Sequence, residues 1–149
     1  MIIRSYLTVI FLVTSMLISF DVSARDDHMM FLIEEALNTE AAKEKLNRGF
    51  RFFFGEQAHP EPSKNFGEFQ SNKKSNGVGK SDKQACEWAF LSAMLSFQDR
   101  ISREGGNAVV NLRSYYKENL ISSETEYQCG AGNIMAGVTF LGEVVTLPE

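Results

Sequence analysis

The apolar residues of the chain change period several times, and each change marks an element. The longest regular stretch begins after Ser81. At about 100° per residue, Cys86, Ala89, Phe90, Ala93, Met94, Phe97 and Ile101 gather on one broad face. Trp88, Leu91 and Leu95 form a second stripe roughly opposite Ala93, with Glu87 and Gln98 between the two. Asp82, Ser92, Ser96, Asp99, Arg100 and Arg103 make the polar arc. The pattern predicts a helix over residues 81–104, about six turns long. Ser81 and Gln84 form an S-x-x-Q capping box, and Gly105 and Gly106 stop the helix. Asp82 suits the positive start of the helix dipole; Arg100 and Arg103 suit its negative end. A helix over one sheet needs one apolar stripe, so the second stripe predicts another covering element, from this chain or from a partner.

Elsewhere the period falls to two. Phe50, Phe52 and Phe54 alternate with Arg51 and Phe53, which predicts a strand over 49–55. A polar loop over 56–65 carries His59-Pro60 and Pro62, a weaker strand follows over 66–73, and Ser75-Asn76-Gly77 marks a turn. After Gly106 a strand is expected over 108–116, with Ala108, Val110, Leu112 and Tyr116 on one face and Val109, Asn111, Arg113 and Tyr115 on the other. A connection over 117–123 leads to a strand over 124–129. Gly130, Gly132 and Gly137 then mark a turn or bulge where backbones approach closely, and 138–147 ends the sheet. Upstream, residues 26–30 read as a short lead, and 31–47 as two helical pieces, the second capped by Thr39. Ile33, Ala36, Leu37 and Leu46 give this segment an apolar edge, and it is the expected cover for the Trp88 stripe. The order α-β-β-α-β-β-β predicts an α+β fold. A mostly antiparallel sheet of about five strands packs on one long central helix, with a short N-terminal helical segment.

The start of the chain changes the picture of where this fold works. Arg4 precedes a nearly continuous apolar or small run over 6–20, and Val22-Ser23-Ala24 supplies small residues for cleavage. Residues 1–24 read as a secretory signal peptide cleaved after Ala24, leaving 25–149 as a single domain in the periplasm or outside the cell. The apolar run is shorter than the ~20 residues of a membrane span, and the mature chain carries no transmembrane segment. No Cys stands at the cleavage site for lipid attachment.

In an exported chain, an even count of two Cys predicts a Cys86–Cys129 disulfide. Closing that loop stabilises by ~4 kcal/mol in the chain-entropy model. No C-x-x-C is present to make the pair redox-active. The chain has 15 basic and 19 acidic residues, a net charge of −4, which argues against a general nucleic-acid binder. Lys64, Lys73, Lys74, Lys80 and Lys83 make the middle locally basic and read as a solvated face.

Candidate chemistry is sparse. Gly79-Lys80-Ser81 matches the end of a Walker A loop and lies between a predicted strand and a helix. Lys74 stands where the first glycine belongs, and no apolar strand ends in an Asp for magnesium, so nucleotide binding through Lys80 is disfavoured and no ATP is expected. His28, His59, Cys86 and Cys129 are too widely spaced to form a metal motif. His59 is the internal candidate for a general base, with Ser63, Glu56 and Glu61 nearby in sequence but in no recognised spacing. Arg113, Tyr115 and Tyr116 offer a binding surface or, more plainly, one core face and one rim face.

The runs ACEWAFLSAM, GGNAVVNLRSYYK and EYQCGAGNIMAGV resemble a family of small exported bacterial proteins often labelled "excinuclease ATPase subunit". The resemblance covers about residues 52–145. The label implies complete nucleotide motifs and zinc-binding Cys pairs, neither of which this chain carries. Gly105, Gly106, Asn107, Ala108, Val109 and Val110, following a helix, are also similar to the small α+β domain of YbjQ-type proteins and of the Rcs envelope-stress lipoprotein. That likeness implies a fold. The lipoprotein's lipid-attachment Cys and a ligand cluster for the metal binding ascribed to the YbjQ group are missing here, so neither role transfers.

These readings converge on an exported, non-enzymatic binding or interaction domain. Its partner would be another envelope component or a second copy, met through Trp88, Leu91 and Leu95. No catalytic residue, cofactor or metal ligand is assigned. The alternative is a hydrolase-like enzyme centred on His59.

Overall fold

The computed structural model describes residues 23–149. The expected signal peptide lies outside the described residues except for Ser23 and Ala24. The elements in chain order are β1 (Asp27–Leu32), α1 (Ile33–Leu37), α2 (Glu40–Lys45), β2 (Arg51–Phe54), β3 (Lys64–Asn76), α3 (Asp82–Glu104), β4 (Ala108–Ser114), a 3-10 turn (Tyr116–Glu118), β5 (Glu126–Ala131) and β6 (Met135–Thr146).

The sheet is built around β6, whose 12 residues pair on both edges. Along one edge β3 runs antiparallel, from Lys64 opposite Thr146 to Asn76 opposite Met135. The other edge is shared. Its C-terminal half pairs with β4, while only Ala136 and Gly137 pair with β5. β1 pairs outside β5, and β2 outside β4, so the sheet forks beside β6.

The content is mixed helix and strand, as expected, but two features differ from the sequence reading. The sheet has six strands, because residues 27–32 form β1 rather than a lead into a helix. In Asp27–Leu32, Met29 and Phe31 pack on the core while Met30 and Leu32 face outward. The partner of this edge strand is about a hundred residues away, so no local turn announces it. The sheet is also mixed rather than simply antiparallel, since β2 and β4 are parallel. β3 and α3 lie between them in sequence, and a crossover of that length permits parallel pairing where a tight hairpin would forbid it.

Helix α3 crosses one face of β6 and β3. Its ends are those expected. Ser81 and Gln84 complete both halves of the capping box, and Gly105 closes the helix in the left-handed conformation at φ 80°. Ala85, Ala89 and Ala93 are buried and small, which lets β3 approach closely. The Ser71 hydroxyl donates to the Ala93 carbonyl at 3.3 Å, and Ser75 donates to Ala85. Phe90, fully buried, meets Tyr127 at 4.7 Å, Phe140 at 5.7 Å and Phe54 at 6.2 Å between ring centroids. Burial of such a ring contributes up to about 3 kcal/mol. On the other face, Phe53 packs against a smaller cluster of Ala108, Val110, Val145 and Leu147.

In β4 the expected alternation fails after Val110. Asn111 adopts φ 52° and the register with β6 shifts between Val110 and Arg113. The extra residue turns Leu112 to the helix face, beside Val109 rather than Val110. The Asn111 amide donates to Glu143 at 3.1 Å.

Candidate functional site

Helix α2 runs beside α3 from Trp88 to Gln98 and divides the second apolar stripe. Thr39 caps α2 by accepting from the Ala42 amide at 3.2 Å. At its exit, the Gln98 side chain accepts from the Asn47 amide and donates to the Lys45 carbonyl. Beneath α2, Leu91 is 2% exposed and Leu95 is half-buried, whereas Trp88, at the start of α2, remains 44% exposed. The N-terminal helical segment thus covers two members of the stripe and leaves the indole open.

Trp88 borders a groove of about 540 Å³. Thr39, Glu40 and Ala41 form one wall, Gly79 and Lys80 another, and Gln84, Glu87, Trp88 and Leu91 the side given by α3. Burial pushes the Glu87 carboxyl up from its ordinary value, against the opposing pull of Lys83 at 4.0 Å. Lys83 itself pairs with Glu35 on α1, and that carboxylate holds the ammonium above its usual range. The groove therefore combines an indole face, an aliphatic floor, one lysine and a partly desolvated acid. Such a surface can seat an apolar side chain while hydrogen-bonding at its rim.

The Walker-like fragment forms part of the same groove. Gly79 takes φ 73° in the turn, the Lys80 ammonium donates to the Asn76 carbonyl at 3.1 Å, and Ser81 accepts from the Gln84 amide at 3.1 Å. The serine is engaged as a helix cap. His59 bonds the Pro60 carbonyl through Nδ1 at 2.8 Å and packs its ring on Phe53. Ser63 donates instead to the Thr146 carbonyl at 3.2 Å, so the structure does not join histidine and serine. Cys86 and Cys129 form a disulfide linking α3 to β5, with both residues fully buried.

A second cluster, on the opposite side of the β5–β6 hairpin, was not legible in the sequence. Tyr116 leaves β4 and lays its ring over Gly130 and Gly137, which face each other in the pairing of β5 and β6. Its hydroxyl donates to Asp26 at 2.9 Å, and Lys117 pairs with the same carboxylate. His28 bonds Asp26 at 3.2 Å and meets the Tyr116 ring edge-on at 5.2 Å. The Lys117 bond, followed by those from Tyr116 and His28, holds the Asp26 carboxyl down at about 2. Burial, then the neighbouring Asp26, pushes the Tyr116 phenol up to about 12. Lys117 and Glu118 take φ 48° and 64°, a left-handed conformation tolerated because these contacts fix the turn. The glycines at 130 and 137 were the available signal, but the approaching group is an aromatic ring rather than a backbone. Arg113 pairs with Glu68, and Tyr115 and Tyr116 lie beyond the end of β4.

The Tyr127 hydroxyl is buried without a hydrogen-bond partner, and its phenol is raised by burial first and then by Glu87 and Glu35. Among the described residues no three His, Cys, Asp or Glu side chains group as a metal site. No helix among them is long and apolar enough to cross a membrane. No protein-family model, curated protein or solved structure matches this chain.

Proposed function

We propose that the chain is an exported, non-enzymatic binding domain that holds an envelope partner in the Trp88 groove. The observation that carries this reading is the exposure of the only tryptophan at the edge of a groove floored by Leu91. Tryptophan and arginine dominate binding hot spots, and a half-open indole over an aliphatic floor is suited to that work. Export is supported by the signal-like residues 1–24, by the Cys86–Cys129 pair and by the resemblance to small exported proteins. A hydrolase centred on His59 lacks a bonded nucleophile, and no feature of that loop favours it.

The test is cross-linking and affinity capture from the native envelope with wild type and Trp88→Glu, followed by measured binding of the captured partner. Loss of a hot-spot indole costs at least about 2 kcal/mol, or roughly thirtyfold in affinity. The variant should keep its circular dichroism, because Trp88 belongs to neither buried cluster of the core. Equal capture by both proteins would refute the groove. A wild-type dimer in light scattering that Trp88→Glu dissolves would identify the partner as a second copy.

A further inference from the structure

Two turns meet at one end of the sheet. The Gly77 amide donates to the Ile134 carbonyl at 2.7 Å, and Asn76 pairs with Met135, which brings the β3–α3 turn against the β5–β6 turn. This end exposes Val78 (61%), Ile134 (67%) and Met135 (49%). It is also where positive charge collects in a chain of net charge −4. Residues 69–81 contain Lys73, Lys74 and Lys80 and no acid, and residues 127–142 contain no charge at all. Asp27 and Asp82, which flank this end, share Arg25.

We propose that this tip docks on the surface of an anionic lipid bilayer. Apolar side chains of interfacial elements sink about 5–10 Å into the boundary between headgroups and acyl chains. At about 3.3 Å per strand residue, Lys74 and Lys73 stand about 7 and 10 Å behind Asn76, at the depth of the lipid phosphates. They leave β3 on opposite faces, as Lys74 lies opposite Gly137 and Lys73 opposite Val138. Lys80 adds a third ammonium beside Val78. A neutral protein partner would leave Lys73 and Lys74 without a counterpart, and a soluble polyanion would leave the apolar side chains in water. An anionic bilayer satisfies both. The tip adjoins the Trp88 groove through Gly79 and Lys80, which form one wall of it.

The experiment is sedimentation of the full chain with vesicles of phosphatidylcholine alone and with added phosphatidylglycerol. Residues 1–22 are common to every variant and cancel only between variants, so binding to each lipid is read as the difference from the Ile134→Ser, Met135→Ser variant. Binding should require the anionic lipid. It should fall about fivefold for each of Lys73→Gln and Lys74→Gln, and more than about tenfold for Ile134→Ser with Met135→Ser. In an Ile134→Trp, Trp88→Phe reporter, anionic vesicles should shift the tryptophan emission to the blue and brominated lipid should quench it. Equal binding to neutral vesicles, an unshifted reporter, or binding unchanged by the Ile134 and Met135 variants would overturn the proposal. So would dextran sulfate binding that survives loss of the apolar pair and fully accounts for vesicle binding. A reporter shift without lipid, accompanied by a dimer in light scattering, would assign the tip to a second copy instead.

Discussion

A β-carbon at position 130 would lie 2.0 Å from the ring of Tyr116, far inside contact distance. The glycine is therefore needed for space rather than for backbone freedom. Gly130→Ala must displace the ring, and with it the phenol that donates to Asp26. The expected cost is about 1–3 kcal/mol, the usual range for overpacking, read as a lower urea midpoint; an unchanged midpoint would show that Tyr116 is free to move. Asp26 makes a second prediction. Its carboxyl falls from 3.8 to about 2 in the folded protein, chiefly through the Lys117 bond. A depressed acid contributes stability that is present above its unfolded value and disappears as pH falls through the folded value. Stability should thus decline between pH 3.8 and about 2, and Asp26→Asn should flatten that part of the profile in denaturant titrations at stepped pH.

At the scale of elements, α3 was the most legible part of the chain because its signals are local. Ser81, Gln84 and Gly105 each act within a few residues, and the helix begins and ends where they say. The two Cys could be paired by counting, since each has one possible intramolecular partner. The fold makes that pair a staple between α3 and β5, separated by 43 residues of sequence. A loop of that size predicts a loss of ~4 kcal/mol when Cys86→Ala and Cys129→Ala are combined. The measurement is urea unfolding of the double variant against oxidised wild type. Non-reduced peptide mass spectrometry should show the cross-link in protein isolated without reductant, and two free thiols would contradict it. β1 shows the opposite case. Its alternation spans six residues, its register comes from β5, and only a partner strand distinguishes it from the start of a helix.

At the scale of the molecule, the fork in the sheet brings distant segments together. β6 carries β3 on one edge and divides the other between β5 and β4, so residues 25–28 reach both the start of α3 and the Tyr116 turn. Trp88, Leu91 and Leu95 could be recognised as a stripe from helical spacing alone. Which of them remained open depended on where α2 came to rest, and that is fixed by Gln98 and the exit of α2. The apolar tip and its lysines were likewise scattered through the sequence until the Asn76–Met135 pairing joined them. The residues by themselves determined helix α3, its caps, the alternation of β2 and the Cys pair, because each depends on short-range geometry or a count. The parallel β2–β4 pairing, the strand β1, the seat of Tyr116 and the exposure of Trp88 were decided only by tertiary structure, because each depends on which distant backbone or side chain fills the space beside it.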